Sequence, residues 1–327
     1  MPCTRQASLL VFAIASLASA QTSKSPPPKS PLQKGIAHFD AERLEPAKAV
    51  LAPLATAGDP EAMYYLGRIA IEQSQNDQAI EWLEQAIKKN DASSRYHQWL
   101  SAAYSQKLSG ANAFSAMSMA PTMKKEMLRA VELDSSNVDA RVNLTQFYIQ
   151  APAMVGGGMD KAREEVAVIA RMNPYQGRLM EASIAEADKD TVVVLRILGD
   201  LAKAFPDSAQ PTVRLSLFYS NAKRYDDAFK VLETRLKLRP DEPATLYQLG
   251  RLGAISGQNL DRALAGLNRF LKMPHHRGLP SIAAAHWRLG MVMEAKGDKI
   301  TARKEYETAL RIDPELAGAK ASLEKIK

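Results

Sequence analysis

The chain has few of the residues that disulfide scaffolds, β-sheets and membrane spans require. Its only cysteine is Cys3, so the remainder of the chain can form no internal disulfide and offers no thiol nucleophile. Aromatic residues make up only 6% of the 327 residues, which argues against a sheet-rich core. Beyond residue 20, no apolar run is long enough to cross a bilayer. Abundant alanine and leucine instead favour closely packed helices.

Catalytic and metal-binding motifs are also missing. The sequence contains no GxSxG, phosphate-loop or HExxH pattern. The adjacent pair His275 and His276 follows Pro274 in an expected loop, where neighbouring side chains rarely converge on one ion. The glycines at 156–158 precede Asp160, whose charge would repel an anion, so we interpret them as a turn. The other histidines are His38, His97 and His286. We expect no catalysis, no cofactor and no histidine metal site.

The N-terminus has the organisation of a secretory signal peptide. Arg5 precedes an apolar run from Ala7 to Leu17, and Ala18-Ser19-Ala20 follows as a small-x-small cleavage pattern. We predict a signal peptide over residues 1–20 and therefore export, with a periplasmic or secreted location.

Residues 21–34 have the composition of a Pro/Lys-rich linker. Pro26 to Pro28 and Pro31 favour extended backbone and exclude helix. The net charge of +7 owes much to the lysines of this segment. The rest of the chain mixes both signs, which is not the footprint of a nucleic-acid-binding protein.

A repeat with a period near 34 residues dominates the remaining sequence. Pro174, Pro206 and Pro240 are 32 and 34 residues apart, and Pro314 lies 74 residues further on. Such a period predicts one helix-turn-helix unit, copied and stacked. Each first helix carries an apolar residue followed by a small one, which lets two helices approach closely. These pairs are Leu66-Gly67, Leu100-Ser101, Leu144-Thr145, Leu215-Ser216, Leu249-Gly250 and Leu289-Gly290.

An acidic residue two positions before an alanine opens several second helices. We predict that these carboxylates cap the helices and interact favourably with the helix dipole. They are Asp77, Asp160, Asp226 and Asp261.

This pattern resembles the tetratricopeptide repeat family, most closely at Leu289-Gly290 with Ala302 and Tyr306. The resemblance implies an all-α, right-handed α-solenoid over residues 35–327, with about eight helix-turn-helix repeats and a C-terminal capping helix. Its repeats are expected at 28–59, 60–93, 94–137, 138–174, 175–208, 209–242, 243–282 and 283–316, with the cap at 317–327. Insertions interrupt the period near 105–126, 151–159 and 274–280, and such insertions often form a functional face.

The first insertion contains four methionines, for which two interpretations remain open. Thioethers are soft ligands that suit Cu(I), but methionine also fills irregular gaps between helices. Metal or small-ligand binding by this insertion is therefore an alternative function. The residues are Met117, Met119, Met123 and Met127.

The resemblance also implies a groove lined by the first helices. Its positions map to Tyr64, Arg68, Arg95, Gln98, Gln146, Gln150, Gln210, Asn221, Tyr247, Arg251 and Trp287, with Glu72, Gln106, Gln176 and Met291 beside them. Glutamine can pair with peptide backbone, and arginine and aromatics are frequent affinity anchors. The family's clamp for acidic chaperone tails uses groove lysine and asparagine, which the ninth repeat positions lack, so that partner class is not expected.

We therefore expect an exported, non-catalytic scaffold that binds a protein or peptide in its groove. A second hypothesis is an accessory factor of an envelope assembly complex, in outer-membrane or surface-polymer biogenesis, associated peripherally with a membrane complex. The oligomeric state does not follow from the sequence.

Overall fold

The computed structural model describes residues 30–109, 111–274 and 278–326. They form 17 α-helices and one short 3₁₀ helix, with no strand in the described ranges. The first nine helices are α1 Pro31–Asp40, α2 Leu44–Thr56, α3 Pro60–Glu72, α4 Asn76–Lys89, α5 Ser94–Ser109, α6 Ala113–Leu133, α7 Val138–Gln150, α8 Met159–Met172 and α9 Pro174–Ala187. The remainder are α10 Thr191–Ala204, α11 Gln210–Asn221, α12 Tyr225–Leu238, α13 Pro243–Ser256, α14 Leu260–Leu271, α15 Ile282–Ala295, α16 Lys299–Ile312 and α17 Ala317–Lys325.

The helices stack as successive pairs. Each odd-numbered helix from α1 to α15 packs against the even-numbered helix that follows it, and the first helices of neighbouring pairs also touch, as α7 with α9 and α13 with α15. From α3 onward, each pair begins within one residue of an expected repeat boundary. Stacking of this kind is an all-α helical-repeat solenoid, in which each unit buries its apolar face against its neighbours.

Small residues permit the close approach of paired helices, as the sequence predicts. A Cβ atom added to Gly67 would lie 2.6 Å from Cγ of Leu83. One added to Gly290 would lie 2.4 Å from Cε1 of Tyr306, a residue with no exposed surface. Neither contact is sterically tolerable, so a larger side chain at either glycine would push the pair apart.

The predicted linker ends earlier than expected. Residues 31–34 belong to α1, with Pro31 at its first position. The proline is tolerated there because the first amide of a helix has no intrahelical partner. Ser30 and Gln33 form a reciprocal capping box, in which Gln33 N donates to Ser30 Oγ at 3.2 Å. The predicted signal peptide and residues 21–29 of the linker lie outside the described residues.

The predicted acidic caps are also displaced. Asp77, Asp160, Asp226 and Asp261 each occupy the second position of a helix, and the preceding cap residues make no side-chain capping bond. Two of the carboxylates bind lysines of the next first helix: Asp77 accepts from Lys107, and Asp261 from Lys296. All four carboxylates still lie near the positive ends of their helix dipoles, and Asp160 pairs with Arg163 of its own helix.

Two of the three insertions take a defined form. The first lengthens both helices of its pair, so that α6 reaches 21 residues. The second forms the 3₁₀ helix Ala153–Val155 and the glycine turn after it. A Cβ atom on Gly157 would lie 1.8 Å from the carbonyl oxygen of Ala151, so this turn requires glycine. Residues 275–277 of the third insertion, including His275 and His276, lie outside the described residues.

Candidate functional site

A cavity opens at the first insertion. It has a volume of about 740 Å³ and lies among α5, α6, α7 and the segment that follows α7. We call it the central cavity. Its wall is mostly apolar, and its apolar and sulfur-containing members include Leu108, Met117, Ala120, Met123, Met127, Phe147 and Val155. A volume of this order lies within the range typical of ligand pockets, about 300–1,000 Å³.

The methionines of the insertion divide between packing and cavity wall. Met123 and Met127 are 8% and 5% exposed and belong to the apolar cluster around Leu144. Met117 is 45% exposed at the cavity mouth. This arrangement favours the packing interpretation, with Met117 left accessible to an entering ligand.

A second, polar depression adjoins the central cavity along α7, α9 and α11. It has a volume of about 690 Å³, and four glutamines line it: Gln146, Gln150, Gln176 and Gln210. We call it the glutamine groove. Gln146 and Gln150 line both openings, so the two adjoin at these side chains. All four glutamines were expected from the sequence.

Hydrogen bonds between repeats hold part of the glutamine groove in place. Gln146 Nε2 donates to Ser183 Oγ at 3.3 Å, and Gln150 Nε2 donates to Gln146 Oε1 at 3.1 Å. Gln210 Oε1 accepts from Tyr175 Oη at 3.1 Å. These amides have further donor and acceptor capacity for a ligand, since each carries two N–H groups and two lone pairs.

Arg214 also lines the glutamine groove, although the sequence pattern did not predict it. It crosses from α11 to α9, where Nη1 donates to the Leu179 carbonyl oxygen at 2.8 Å and Nη2 to Glu186 Oε1 at 2.8 Å. Its charge is therefore compensated within the groove wall. The signal available in the sequence was its position in the first helix of a repeat, but an arginine there does not reveal its partners.

At the N-terminal end, the expected groove residues form structure rather than an open surface. Tyr64 is only 2% exposed and stacks on Tyr96, with ring centroids 5.1 Å apart. The guanidinium of Arg68 lies 4.6 Å from the Phe39 ring centroid and 4.3 Å from that of Trp99. The burial of Tyr64 against the next repeat argues against its predicted role in partner binding.

Three further expected residues have individual roles. Arg95 is exposed and forms a 3.1 Å ion pair with Glu61. Gln98 Oε1 accepts from Asn137 Nδ2 at 2.9 Å, which joins two repeats. Asn221 is exposed at the end of α11 and lines neither opening.

The predicted groove residues near the C-terminus also differ in their contacts. Tyr247 is half-buried against Phe270, with centroids 5.4 Å apart. Trp287 Nε1 donates to Ser322 Oγ at 3.0 Å, and its ring contacts the position of Gly318 so closely that no Cβ would fit. Trp287 thus contacts the capping helix α17 and stays half-buried, and its role in partner binding stays a prediction. Arg251 lies half-buried on α13.

Two buried polar pairs were not predicted from the sequence. His97, on α5, is 3% exposed, and its Nδ1 lies 2.6 Å from Glu126 Oε2 on α6. Burial alone would lower the pKa of His97, but the Glu126 carboxylate and the Asp91 carbonyl outweigh it and raise that pKa. Arg235, 5% exposed, forms the second pair with Glu242. The burial of a histidine or arginine cannot be inferred from a sequence unless its partner is known.

The described residues contain no group of three or more His, Cys, Asp or Glu side chains that could hold a metal ion. None of their helices has the length and apolar character needed to span a bilayer.

Two segments, residues 32–94 and 252–317, match the family model described as tetratricopeptide repeat. The match supports the resemblance to tetratricopeptide repeat proteins that the sequence pattern indicates. The central cavity and the glutamine groove lie between the two tetratricopeptide repeat segments. Comparison with curated proteins found no match.

Solved structures resemble the fold at low sequence identity. Yeast Tom70 is 13% identical with a TM-score of 0.64, over 97% of this chain and 67% of that chain. A monomeric mutant of IFIT1 with Gppp-AAAA is 13% identical with a TM-score of 0.51, over 89% and 70% of the two chains. A tetratricopeptide repeat protein from Parabacteroides merdae is 14% identical with a TM-score of 0.48, over 90% and 97%. The first two likenesses show the helical-repeat fold alone.

Proposed function

We propose that this helical-repeat scaffold is non-catalytic and binds a peptide segment of a protein partner along the central cavity and the glutamine groove. The observation that supports this proposal is that the two openings adjoin at Gln146 and Gln150, which line both. One opening is apolar and the other offers amides. An extended peptide has the same two properties, because its side chains are apolar or polar while its backbone always offers donors and acceptors.

The apolar end would receive a hydrophobic side chain of the partner. Met117 and Phe147 line it, together with the small Ala116 and Ala120. Methionine adapts its shape to different ligands, so such a wall suits a family of related sequences. Burial of one large apolar side chain contributes about 1.5–3 kcal/mol before the costs of ordering are subtracted.

The polar end would bind the peptide backbone. Gln150 and Gln210 are exposed on α7 and α11, on either side of α9. Amide side chains pair with N–H and C=O groups without requiring a charged partner. The one cation of the groove wall, Arg214, is already paired with Glu186 at 2.8 Å. The groove therefore favours an uncharged stretch of chain.

Filling the cavity tests this assignment. In A116F, the new ring on α6 would occupy the cavity, since Ala116 lines it and is half-buried. Peptides selected on the wild-type chain from a random library should bind A116F at least tenfold more weakly, a loss of about 1.4 kcal/mol or more. Fluorescence anisotropy with labelled peptides measures the affinities.

The matched control is A265F, which adds the same ring at an exposed position of α14. It should leave peptide affinity unchanged, and circular dichroism should show both variants folded. Unchanged affinity of the selected peptides for A116F would place their binding elsewhere and refute the cavity assignment.

A second candidate is a small apolar ligand, which the methionine wall of the cavity also favours. Q210A separates the two, because Gln210 lines only the glutamine groove. A peptide that spans both openings loses affinity in Q210A, whereas a ligand confined to the cavity does not.

Export is part of the proposal and rests on the sequence of residues 1–20. An exported scaffold would meet its partner in the cell envelope or outside it. Intact-mass measurement of the protein from a secreting host should give a chain that begins at Gln21. Recovery of the uncut mass in the cytosolic fraction would contradict export.

A further inference from the structure

Unpaired hydrogen-bond donors concentrate on two touching helices near the C-terminal end. Arg251 Nη1 and Gln248 Nε2 on α13, and Arg288 Nε on α15, are buried atoms without a hydrogen-bond partner in the described structure. Gln248 is only 4% exposed. Buried donors are almost always paired in folded proteins, so a cluster of three suggests that an acceptor completes them.

Helix packing places these donors on two touching helices. Gln248 precedes Arg251 by three residues, which sets the two side chains side by side on α13. Helix α15 packs against α13, and the charge of Arg288 acts directly on Arg251. Burial first, and then the Arg288 cation, lower the pKa of Arg251.

The surroundings hold the guanidiniums without neutralising them. Arg288 lies over the Trp287 ring, 3.8 Å from its centroid, and its Nη1 contacts Met291 Sδ at 3.2 Å. No carboxylate of the described residues forms an ion pair with Arg251 or Arg288. By contrast, the half-buried Arg141 has its partner Glu165 at 2.6 Å. Two half-buried cations of like charge repel each other, and an anion between them would relieve that repulsion.

We infer that Arg251 and Arg288, with Gln248 beside them, form a binding site for a phosphate group between α13 and α15. The group can be free inorganic phosphate or a phosphate monoester, since both present the same terminal oxygens. A phosphate monoester carries a charge of about −1.5 to −2 and three strong acceptor oxygens. Its charge thus approaches that of two cations, whereas a carboxylate brings only one negative charge.

This site goes beyond the proposed peptide binding. It shares no residue with the central cavity or the glutamine groove, so either assignment can fail without the other.

Calorimetric titration of the full chain tests the site, with inorganic phosphate, glycerol phosphate and acetate as probes at constant ionic strength. Phosphate should bind at least tenfold more tightly than acetate. R251Q and R288Q should each weaken phosphate binding roughly tenfold or more, because each removes a charge-assisted hydrogen bond. The control R196Q removes the same charge from an exposed position of α10 and should leave the affinity unchanged.

The monoester distinguishes the two sources of phosphate. Glycerol phosphate binding as tightly as inorganic phosphate identifies a site open to esters, and exclusion of the ester identifies a site for the free ion; both outcomes support the inference. Equal affinity for phosphate and acetate in the wild-type chain would overturn it, even if the variants failed to fold. Equal losses in R196Q and R251Q would overturn it as well.

Discussion

Replacing Tyr64 by alanine should lower the free energy of unfolding by about 3–5 kcal/mol, the range for removing a large buried aromatic side chain. Tyr64 is 2% exposed, and its ring lies between two others. The centroid of Tyr65 is 5.0 Å away and that of Tyr96 is 5.1 Å away. Because Tyr96 belongs to the next helix pair, the substitution removes contacts within one repeat and between two.

Chemical denaturation followed by circular dichroism measures this effect, and Y64F is the matched control. Phenylalanine keeps the ring and removes only the hydroxyl, which Arg68 Nη1 reaches at 3.5 Å. That contact is long for a hydrogen bond, so Y64F should stay within about 1 kcal/mol of wild type. If Y64A retained wild-type stability while losing peptide binding, Tyr64 would be a groove residue after all.

The helical-repeat fold was predictable because it follows from a pattern repeated along the chain. Pairs such as Leu66-Gly67 and Leu289-Gly290 recur at the period of one helix pair, and a small residue at that point leaves room for Leu83 or Tyr306. Local chemistry was less predictable. Pro31 was assigned to a linker, although the capping box of Ser30 and Gln33 starts a helix there.

The candidate site was predictable only where groove residues have few neighbours. The glutamines at 146, 150, 176 and 210 were expected and do line one depression. Tyr64 and Trp287 occupy equivalent repeat positions but are covered by Tyr96 and by α17. A repeat position fixes the face of the helix; it does not reveal whether the next repeat or the cap covers that face.

The second large effect concerns Arg235 on α12, which is 5% exposed. Arg235 Nε and Nη2 donate to Glu242 at 2.8 and 2.5 Å, and Nη1 donates to the Pro206 carbonyl oxygen at 2.6 Å. These partners belong to the turn after α10 and to the start of α13, so the guanidinium on α12 joins three successive helix pairs. Its rigid fork suits several acceptors at once.

R235A should therefore lower the free energy of unfolding by about 3–5 kcal/mol, because it leaves a half-buried carboxylate and a carbonyl without their partner. The double variant R235M/E242Q removes the stranded charge as well and should recover most of the loss. Denaturant titrations of the wild type and both variants measure this. A double variant no more stable than R235A would show that the stranded Glu242 carboxylate is not the source of the loss, and would point to the unpaired Pro206 carbonyl oxygen instead.

Acid should reduce the difference in unfolding free energy between wild type and R235A. Burial alone would raise the pKa of Glu242, but hydrogen bonds from Arg235 and Thr245 outweigh it and lower that pKa below 4.5. A carboxyl whose pKa is lowered by folding contributes stability above its ordinary pKa, and the contribution is lost as the pH falls through the folded-state value. The difference in unfolding free energy should therefore be constant from pH 7 to about pH 5 and shrink at more acidic pH. A difference that stayed constant down to complete acid unfolding would show that the ionised Glu242 is not what makes Arg235 necessary.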